Sequence, residues 1–495
     1  LQVAVAAPNS DAVEKLRLGA VTRAAVCCTV GTPRAPMVVR WRPAAGSHRG
    51  RRMHGIVSEI RRLAGEGFPV RAERIEILDS PADFYERLLS ISNIAVVAVP
   101  RDGFIGKKPG TTNMDNPGPP AESLRKVISN HGDLSVNVVL DYHRGQRRDR
   151  QGECSMSVLS KLATCFPAQF KVHLFRVPQW RWIHDAVVRW PRWKELVGVQ
   201  HAKLYVFDDT VIISGANLSN DYFVNRQDRY YVIRDAALAD FSHDLVARFA
   251  RWSHRLQHDG LSLSRPLEPP STIDVQPDKR TSAKRDEGSM GPTDTFVFPT
   301  IQLDVAGVRL DHELLTQIVS GNLSPSDGMH HLTLASGYLN LTPDFQEMLA
   351  NFPGTVSLVT ASPMANGFYG AAGVSRFIPD AYAVVVNELL ARMPPNKCEI
   401  FEYERTGWTY HQKGLWLHPS PTAPPALTVI GSSNFGHRSV YRDLEAQLCI
   451  ATNNQDLRQR MHNECQRSTT QYTHKVSKQN HSLRVTPHPA LDVIM

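Results

Sequence analysis

The sequence predicts two tandem α/β domains, each a mixed sheet flanked by helices, sharing one active site at their interface. Three observations predict this. The chain has 495 residues, 42% of them hydrophobic, which suits two cores better than one. Short apolar runs alternate with amphipathic stretches in both halves, as layered α/β structure requires. A long block in the first half also recurs in the second, with the same chemical residues at matching places.

The elements follow in order. Residues 1–66 read as a basic, transit-like leader. From Lys15 to Ser58 there are nine Lys or Arg and no acid, a composition typical of organelle targeting segments. The chain begins with Leu1 rather than Met, so its true start is expected upstream. Residues 67–263 form the first domain. Arg74–Leu78 alternates like a strand, and Ser80-Pro81-Ala82-Asp83 opens a helix with a cap, a first-turn proline and an acid at the positive end. Phe84, Leu88 and Leu89 are expected on its buried face. Residues 103–120 are too rich in Gly and Pro for regular structure. Val136–Leu140 reads as a buried strand ending in a turn at Asp141. Residues 264–294 carry five prolines and mixed charge and read as a linker. Residues 295–480 form the second domain and 481–495 a tail.

Bulk charge argues against a nucleic-acid partner. The net charge is +8, but nine cations against Asp11 and Glu14 place +7 of it in residues 1–58. The remainder is near neutral and offers no basic groove. No run of eighteen apolar residues occurs, so membrane contact is expected at the surface. Seven cysteines without a CxxC pair read as free thiols, with no metal site.

The repeat carries the chemistry. The first copy is HAKLYVFDDTVIISGANLSNDYFVNRQDRYYVI from His201, and the second is HQKGLWLHPSPTAPPALTVIGSSNFGHRSVYRDLEAQLCI from His411. Each runs His-x-Lys, strand, turn, strand, a small-residue turn with Asn, then an acid. Asn217 to Asp228 is eleven residues, and so is Asn434 to Glu445. His201 to Asn217 is sixteen and His411 to Asn434 twenty-three, the difference of seven falling in a Pro-rich hairpin loop. His201 and Lys203, like His411 and Lys413, share a face as i and i+2 of a strand. Packed face to face, the halves would gather two imidazoles and two ammonium groups, a setting suited to a phosphodiester. One histidine would attack phosphorus and the other protonate the leaving oxygen. The lysines with Asn217 and Asn434 would stabilise the phosphoryl oxygens, and Asp228 and Glu445 would orient the histidines.

These motifs resemble the phospholipase D superfamily, whose signature is H-x-K-x4-D followed by a Gly/Ser/Asn turn. His201, Lys203 and Asp208 match in full. The second copy has His418 where Asp is expected, read here as an exposed loop residue, with the Asp role as a brace for the strand turn. Longer stretches narrow the resemblance: SPADFYERLLS, SGANLSNDYFVNRQDRY, LASGYLNLT, ANGFYGAAGVSRFIPDAY, GWTYHQKGLW and GSSNFGHRSVYRDLEAQ are similar to a mitochondrial family that joins CDP-diacylglycerol to glycerol 3-phosphate. The departure is SISNIAVVAVPRDGFIGKKPGTTNMDNPGPP, which stands where that family has a helix end and a strand leading toward the site.

The resemblance implies a phosphatidyl-histidine on His201, release of CMP, and attack by glycerol 3-phosphate with His411 as acid, then base. It implies catalytic roles for His201, Lys203, Asp208, Asn217, Asp228, His411, Lys413, Asn434 and Glu445, and no cofactor or metal. Arg144 and Arg147, after the Val136–Leu140 strand, together with Ser214, Ser432 and Asn366, are expected to bind substrate. Four tryptophans interleaved with cations in WRWIHDAVVRWPRWK (180–194) suit an anionic membrane interface as well as a core. A mitochondrial, inner-membrane-associated enzyme is implied; nothing in the sequence sets its oligomeric state. Rival activities on the same site chemistry are cardiolipin or phosphatidylserine synthesis, nucleic-acid phosphodiester cleavage, and a lipid-binding scaffold.

Overall fold

Each half of the chain builds one mixed sheet, and the two sheets repeat each other strand for strand. The computed structural model describes residues 51–90, 96–99, 125, 128–130, 134–148, 152–178, 198–267, 294–323, 331–371, 373–394 and 396–476. All of these lie in one contact-dense unit beginning at His48. The stretches 103–120 and 180–194 and most of the linker fall outside the described residues.

The first sheet runs His254–Arg255, Phe170–Phe175, Val136–Asp141, Val96–Val99, Leu204–Phe207, Thr210–Ser214, Tyr230–Arg234, Ile75–Leu78. The second runs Thr473–Lys475, Cys398–Tyr403, Thr355–Ala361, His331–Ser336, Lys413–His418, Leu427–Gly431, Glu445–Thr452, Thr295–Gln302, and adds Phe68–Pro69 at its far edge. In both, the second, third and fourth strands pair in parallel and every other pairing is antiparallel. Parallel neighbours need a crossover. The helices Ser155–Cys165, Pro343–Asn351 and Ile378–Arg392 lie in the connections between such neighbours. Val96–Val99 takes the position that His331–Ser336 holds in the second sheet, so the stretch that departs from the family pattern still supplies the fourth strand.

Local expectations are met where the chemistry is local. Ser80 Oγ accepts from the Asp83 amide (3.2 Å), and Asp83 returns a bond to the Ser80 amide (3.0 Å), capping the helix Pro81–Ser90. Phe84 is buried there, whereas Leu89 is exposed, because the apolar face turns away from that position at the last turn. Asp141 ends its strand as expected and caps the next turn through the His143 and Arg144 amides. The five described cysteines are free thiols.

The segment read as leader is partly folded. Arg51–Ala64 is a helix. Its Ile56, Val57, Ile60 and Ala64 lie on one face and pack with Phe298, Leu314, Leu315 and Ile318 of the second half. Phe68–Pro69 then pairs with Phe296 and Val297.

The largest apolar cluster joins the halves, with Val206, Ile213, Ile233 and Phe249 beside Val297, Trp416, Leu448 and Ile450. A buried ion pair runs through this seam. Arg229 donates to Glu464 through Nε (2.8 Å) and Nη2 (3.0 Å), and Tyr231 Oη and Trp416 Nε1 also donate to Glu464 (2.7 and 3.0 Å). The guanidinium lies 3.8 Å from the Trp416 ring centre. Gly414 makes room for it: its φ is +128°, and a Cβ there would collide with Arg229 Nη1 and the Val429 carbonyl.

Removing one partner leaves a buried charge unmatched. Glu464→Leu should therefore destabilise the protein by about 3–5 kcal/mol, and Arg229→Met/Glu464→Leu should recover most of that loss. Thermal melts of both variants check this; equal melting temperatures for the single and double variants would show that the pair is not coupled.

Candidate active site

The site forms where each sheet's histidine segment crosses to the other sheet's acid. Ahead of His201, the Leu444 amide donates to Val199 O (2.9 Å) and the His201 amide to Leu444 O (2.8 Å). Ahead of His411, the Thr409 amide donates to Asn225 O (3.0 Å) and the His411 amide to Gln227 O (2.8 Å). Each histidine is thus tied through the main chain to the residue preceding the opposite half's carboxylate. The side chains follow. His201 Nδ1 donates to Glu445 (2.9 Å to Oε2), and His411 Nδ1 donates to Asp228 Oδ2 (2.7 Å). Both carboxylates have 0% exposed side chains.

The acids are held in turn. Glu445 accepts from Ser432 Oγ and from Ser439 Oγ (2.7 Å), and Asp228 Oδ1 accepts from the Arg229 amide (2.8 Å). With Nδ1–H given to a carboxylate, each Nε2 carries the lone pair. The two are not equivalent. Tyr222 Oη lies 3.2 Å from His411 Nε2, while no described residue bonds Nε2 of His201.

Lys203 and Lys413 are fully buried. Lys203 Nζ donates to His201 O (2.6 Å). Lys413 Nζ donates to His411 O (2.9 Å) and sits 2.9 and 3.1 Å from the two ring nitrogens. Burial, then the adjacent lysine, holds both histidines well below the ordinary imidazole value, so both rest neutral. Burial likewise depresses Lys203, and brings Lys413 down to about 8 against the pull of Asp228 and Glu445. Asp228 is pushed up to about 6 by burial, opposed by Lys413. Burial raises Glu445 also. Lys203 and His201 both act electrostatically on His411, and Lys413 on His201, which makes the four side chains one cluster.

Asn217 and Asn434 stand at the matching turns. Each has a buried Oδ1 with no hydrogen-bond partner among the described residues. Arg144 is near enough to act on His201 and Lys203; Arg147 follows in the same turn, its amide bonded to Arg144 O at 3.2 Å.

Several expected residues are placed differently. Asp208 is not brought to the site. It is exposed in the two-residue turn between Leu204–Phe207 and Thr210–Ser214, with φ +45°, at the far end of the strand from Lys203. His418 is no exposed loop residue. It is 2% exposed at the end of its strand, donates from Nδ1 to Ala423 O (2.9 Å), and is brought down to about 4 by burial. Ser432 Oγ is engaged by Glu445. Ser214 Oγ donates to Arg229 O (2.6 Å) and receives the Ala216 amide (2.9 Å), so it braces its own turn. Asn366 Oδ1 accepts from the Phe368 amide (3.0 Å) within its loop.

Sequence reasoning missed Tyr222 and Ser439. Tyr222 and Ser439 each follow the turn asparagine by five residues, but they differ in type, so comparing the copies by identity hides them. Among the described residues no group of His, Cys, Asp and Glu is placed to hold a metal ion.

No protein-family model matches the chain. The mitochondrial CDP-diacylglycerol–glycerol-3-phosphate 3-phosphatidyltransferase of Gallus gallus is 32% identical over 465 residues, covering 85% of this chain and 80% of the relative. The enzyme of the same name from Homo sapiens is 33% identical over 82% of this chain and 78% of its own length. That of Schizosaccharomyces pombe is 30% identical over 80% and 89%. Among solved structures, phosphatidylserine synthase of Haemophilus influenzae superposes with a TM-score of 0.64 at 19% identity, over 88% of this chain and 96% of that one, a likeness of fold. With the His-Lys pairs doubled and the relatives matching over most of their length, the chain belongs to the CDP-diacylglycerol–glycerol-3-phosphate 3-phosphatidyltransferase family, on a phospholipase D-like fold.

Proposed function

We propose that the protein transfers the phosphatidyl group of CDP-diacylglycerol to sn-glycerol 3-phosphate, giving phosphatidylglycerophosphate and CMP through a phosphatidyl-histidine. One observation supports the chemistry above others: two intact His-Lys pairs, each histidine oriented by the acid of the opposite half. The family supplies the substrates.

His201 is the nucleophile, because its Nε2 is open while that of His411 is engaged by Tyr222. The Nε2 lone pair attacks the phosphorus esterified to diacylglycerol. The bond from that phosphorus to the bridging oxygen breaks, and CMP leaves with the electron pair. A phosphate leaving group with a pKa of about 6 needs little protonation, so neutral His411 is no handicap here. In the second step His411 Nε2 takes the proton of the 1-hydroxyl, whose oxygen attacks phosphorus, and the P–N electrons return to His201. Glu445 and Asp228 hold each Nδ1–H throughout. Lys203, Lys413, Asn217 and Asn434 stabilise the phosphoryl oxygens, and Arg144 attracts the diphosphate. The halves act as two tandem domains joined at this site.

The lipid substrate requires contact with a membrane, and the names of the animal relatives place them in mitochondria. Among the described residues no helix is long and apolar enough to cross a bilayer. Val224, Met364 and Tyr369 are 54, 52 and 62% exposed. Their segments are joined to the His411 strand by the Thr409–Asn225 and Tyr410–Ala365 main-chain bonds. These side chains give the mouth an apolar rim that rests on an anionic mitochondrial membrane.

In mixed micelles, CMP release should require glycerol 3-phosphate and yield phosphatidylglycerophosphate. Water, serine or phosphatidylglycerol as the preferred acceptor would overturn this assignment. His201→Ala should abolish both transfer and exchange of labelled CMP into CDP-diacylglycerol. His411→Ala should slow transfer by roughly 10²–10⁴-fold yet leave a lipid-labelled protein when quenched in detergent at alkaline pH, where the P–N bond survives; label retained by His201→Ala instead would reverse the two roles.

The pH dependence of kcat/KM for CDP-diacylglycerol should be bell-shaped. Asp228 must be ionised, so activity falls as pH drops through about 6. Lys413 must be charged, so it falls again as pH rises through about 8. Asp228→Asn should lower activity at every pH, whereas Asp208→Asn, at an exposed turn that tolerates Asn, should match wild type. Comparable losses in the two would restore a catalytic part for Asp208.

A further inference from the structure

Behind the His411 segment lies a cavity of about 210 Å³ that no step above uses. His411 and Lys413 face the reacting groups, so Tyr410 and Gln412, one residue out of step, face the opposite side. There Tyr410 Oη donates to Gln412 Oε1 (3.1 Å). Both halves border the cavity, the first with Ser80 and Gln227, the second with Gln412 and Ser468. Its bordering acids are matched. Glu464 is held by Arg229, Tyr231 and Trp416, Asp228 by His411 and the Arg229 amide, and Asp79 by Arg467. Arg405 has no such match. Its guanidinium lies 3.7 Å from the Trp408 ring centre and 4.5 Å from that of Tyr472, and no described carboxylate pairs with it. Ring contacts use the face of a guanidinium and leave its N–H edge. Two neutral donors join it. Tyr403 is 3% exposed and its Oη completes no hydrogen bond with a described residue, although Arg405 stands near enough to oppose the rise that burial imposes on this phenol. Gln412 is 5% exposed, and its Nε2 bonds no described residue.

We propose that this cavity binds a phosphate monoester through Arg405, Tyr403 and Gln412, and that the bound anion braces the seam behind His411. No step of the reaction proposed above enters this inference. A guanidinium edge matches phosphate oxygens two at a time, and the phenol and the amide supply donors from the cavity's other walls. A tetrahedral anion accepts from several directions, whereas a planar carboxylate is filled by the guanidinium alone. The volume lies below the roughly 300–1,000 Å³ of sites for larger ligands, which favours a phosphate on a short stem over a nucleotide. The brace follows from position. Gln227 and Gln412 both border the cavity, and Gln227 O accepts the His411 amide (2.8 Å). An anion held there ties the two halves together beside that crossing, and a ligand that binds only the folded chain raises its stability. The monoester is either a soluble phosphate or the head of a lipid; the recognition chemistry is the same.

Titration of the full chain with inorganic phosphate, read by tryptophan fluorescence and by thermal melting, tests this. Phosphate should change the emission of Trp408, because that ring lies against the guanidinium that turns to the anion, and should raise the melting temperature. Trp408→Phe should lose the emission change and keep the thermal shift. Arg405→Gln should weaken phosphate binding by roughly tenfold to a hundredfold, and Tyr403→Phe, which keeps the ring, by about tenfold or less. Melting without phosphate shows whether Arg405→Gln folds; if it does not, Tyr403→Phe carries the test. Phosphate also suits the reaction site, so Arg144→Gln is the contrast and should leave the Trp408 titration in place. Phosphatidylcholine vesicles with and without phosphatidic acid separate the two sources. Displacement of phosphate only by the vesicles that carry the monoester lipid upholds the site as a headgroup site, and no displacement upholds it as a site for a soluble ligand. An emission change absent from wild type, unaltered in both Arg405→Gln and Tyr403→Phe, or lost in Arg144→Gln would overturn the proposal.

Discussion

The crossed attachment of each histidine to the opposite half's acid is the constraint on which the site depends. Two backbone bonds at each crossing fix where the histidines enter. The carboxylates then fix which ring nitrogen faces substrate. Neither half contains a complete His–acid pair. The arrangement makes correct assembly of the seam a condition for activity, because a sheet that shifted by one residue would turn its acid to the other face.

Such a seam holds unusual charge for a protein interior. Two lysines, two carboxylates and the Arg229–Glu464 pair all lie at or below 5% exposure. Buried ions are weak stabilisers at best, since desolvation offsets most of their attraction. Here the apolar cluster that spans the seam supplies the cohesion. The low polarity that depresses the histidines is also what strengthens the lysines against a phosphoryl group in the transition state.

Much of this was legible in the chain. Equal spacing from Asn217 to Asp228 and from Asn434 to Glu445 revealed the duplication, and the sheets repeat it pairing for pairing. The crossing was not legible, because spacing within one half carries no record of which half its acid meets. Asp208 lies in the strand turn that the brace reading expects, where a hairpin needs a residue tolerant of positive φ, whereas its motif position alone suggests chemistry. His418 was misjudged from the general exposure of histidine; a strand end closed by its own loop gives it a carbonyl partner instead. Ser214 stands three residues before its turn asparagine and Ser432 two, so one reaches a backbone carbonyl and the other the carboxylate.

The helix Arg51–Ala64 and the strand Phe68–Pro69 have a temporal consequence. They precede the whole first sheet in the chain, yet their partners are Phe296–Val297 and the helix Leu310–Val319. During synthesis these early apolar faces must wait while more than two hundred residues emerge. Contacts of such separation form slowly and leave exposed surface in the interval. The second sheet is therefore the late-closing part of the molecule, and its outer edge is the place where a chaperone would find its longest-lived handle.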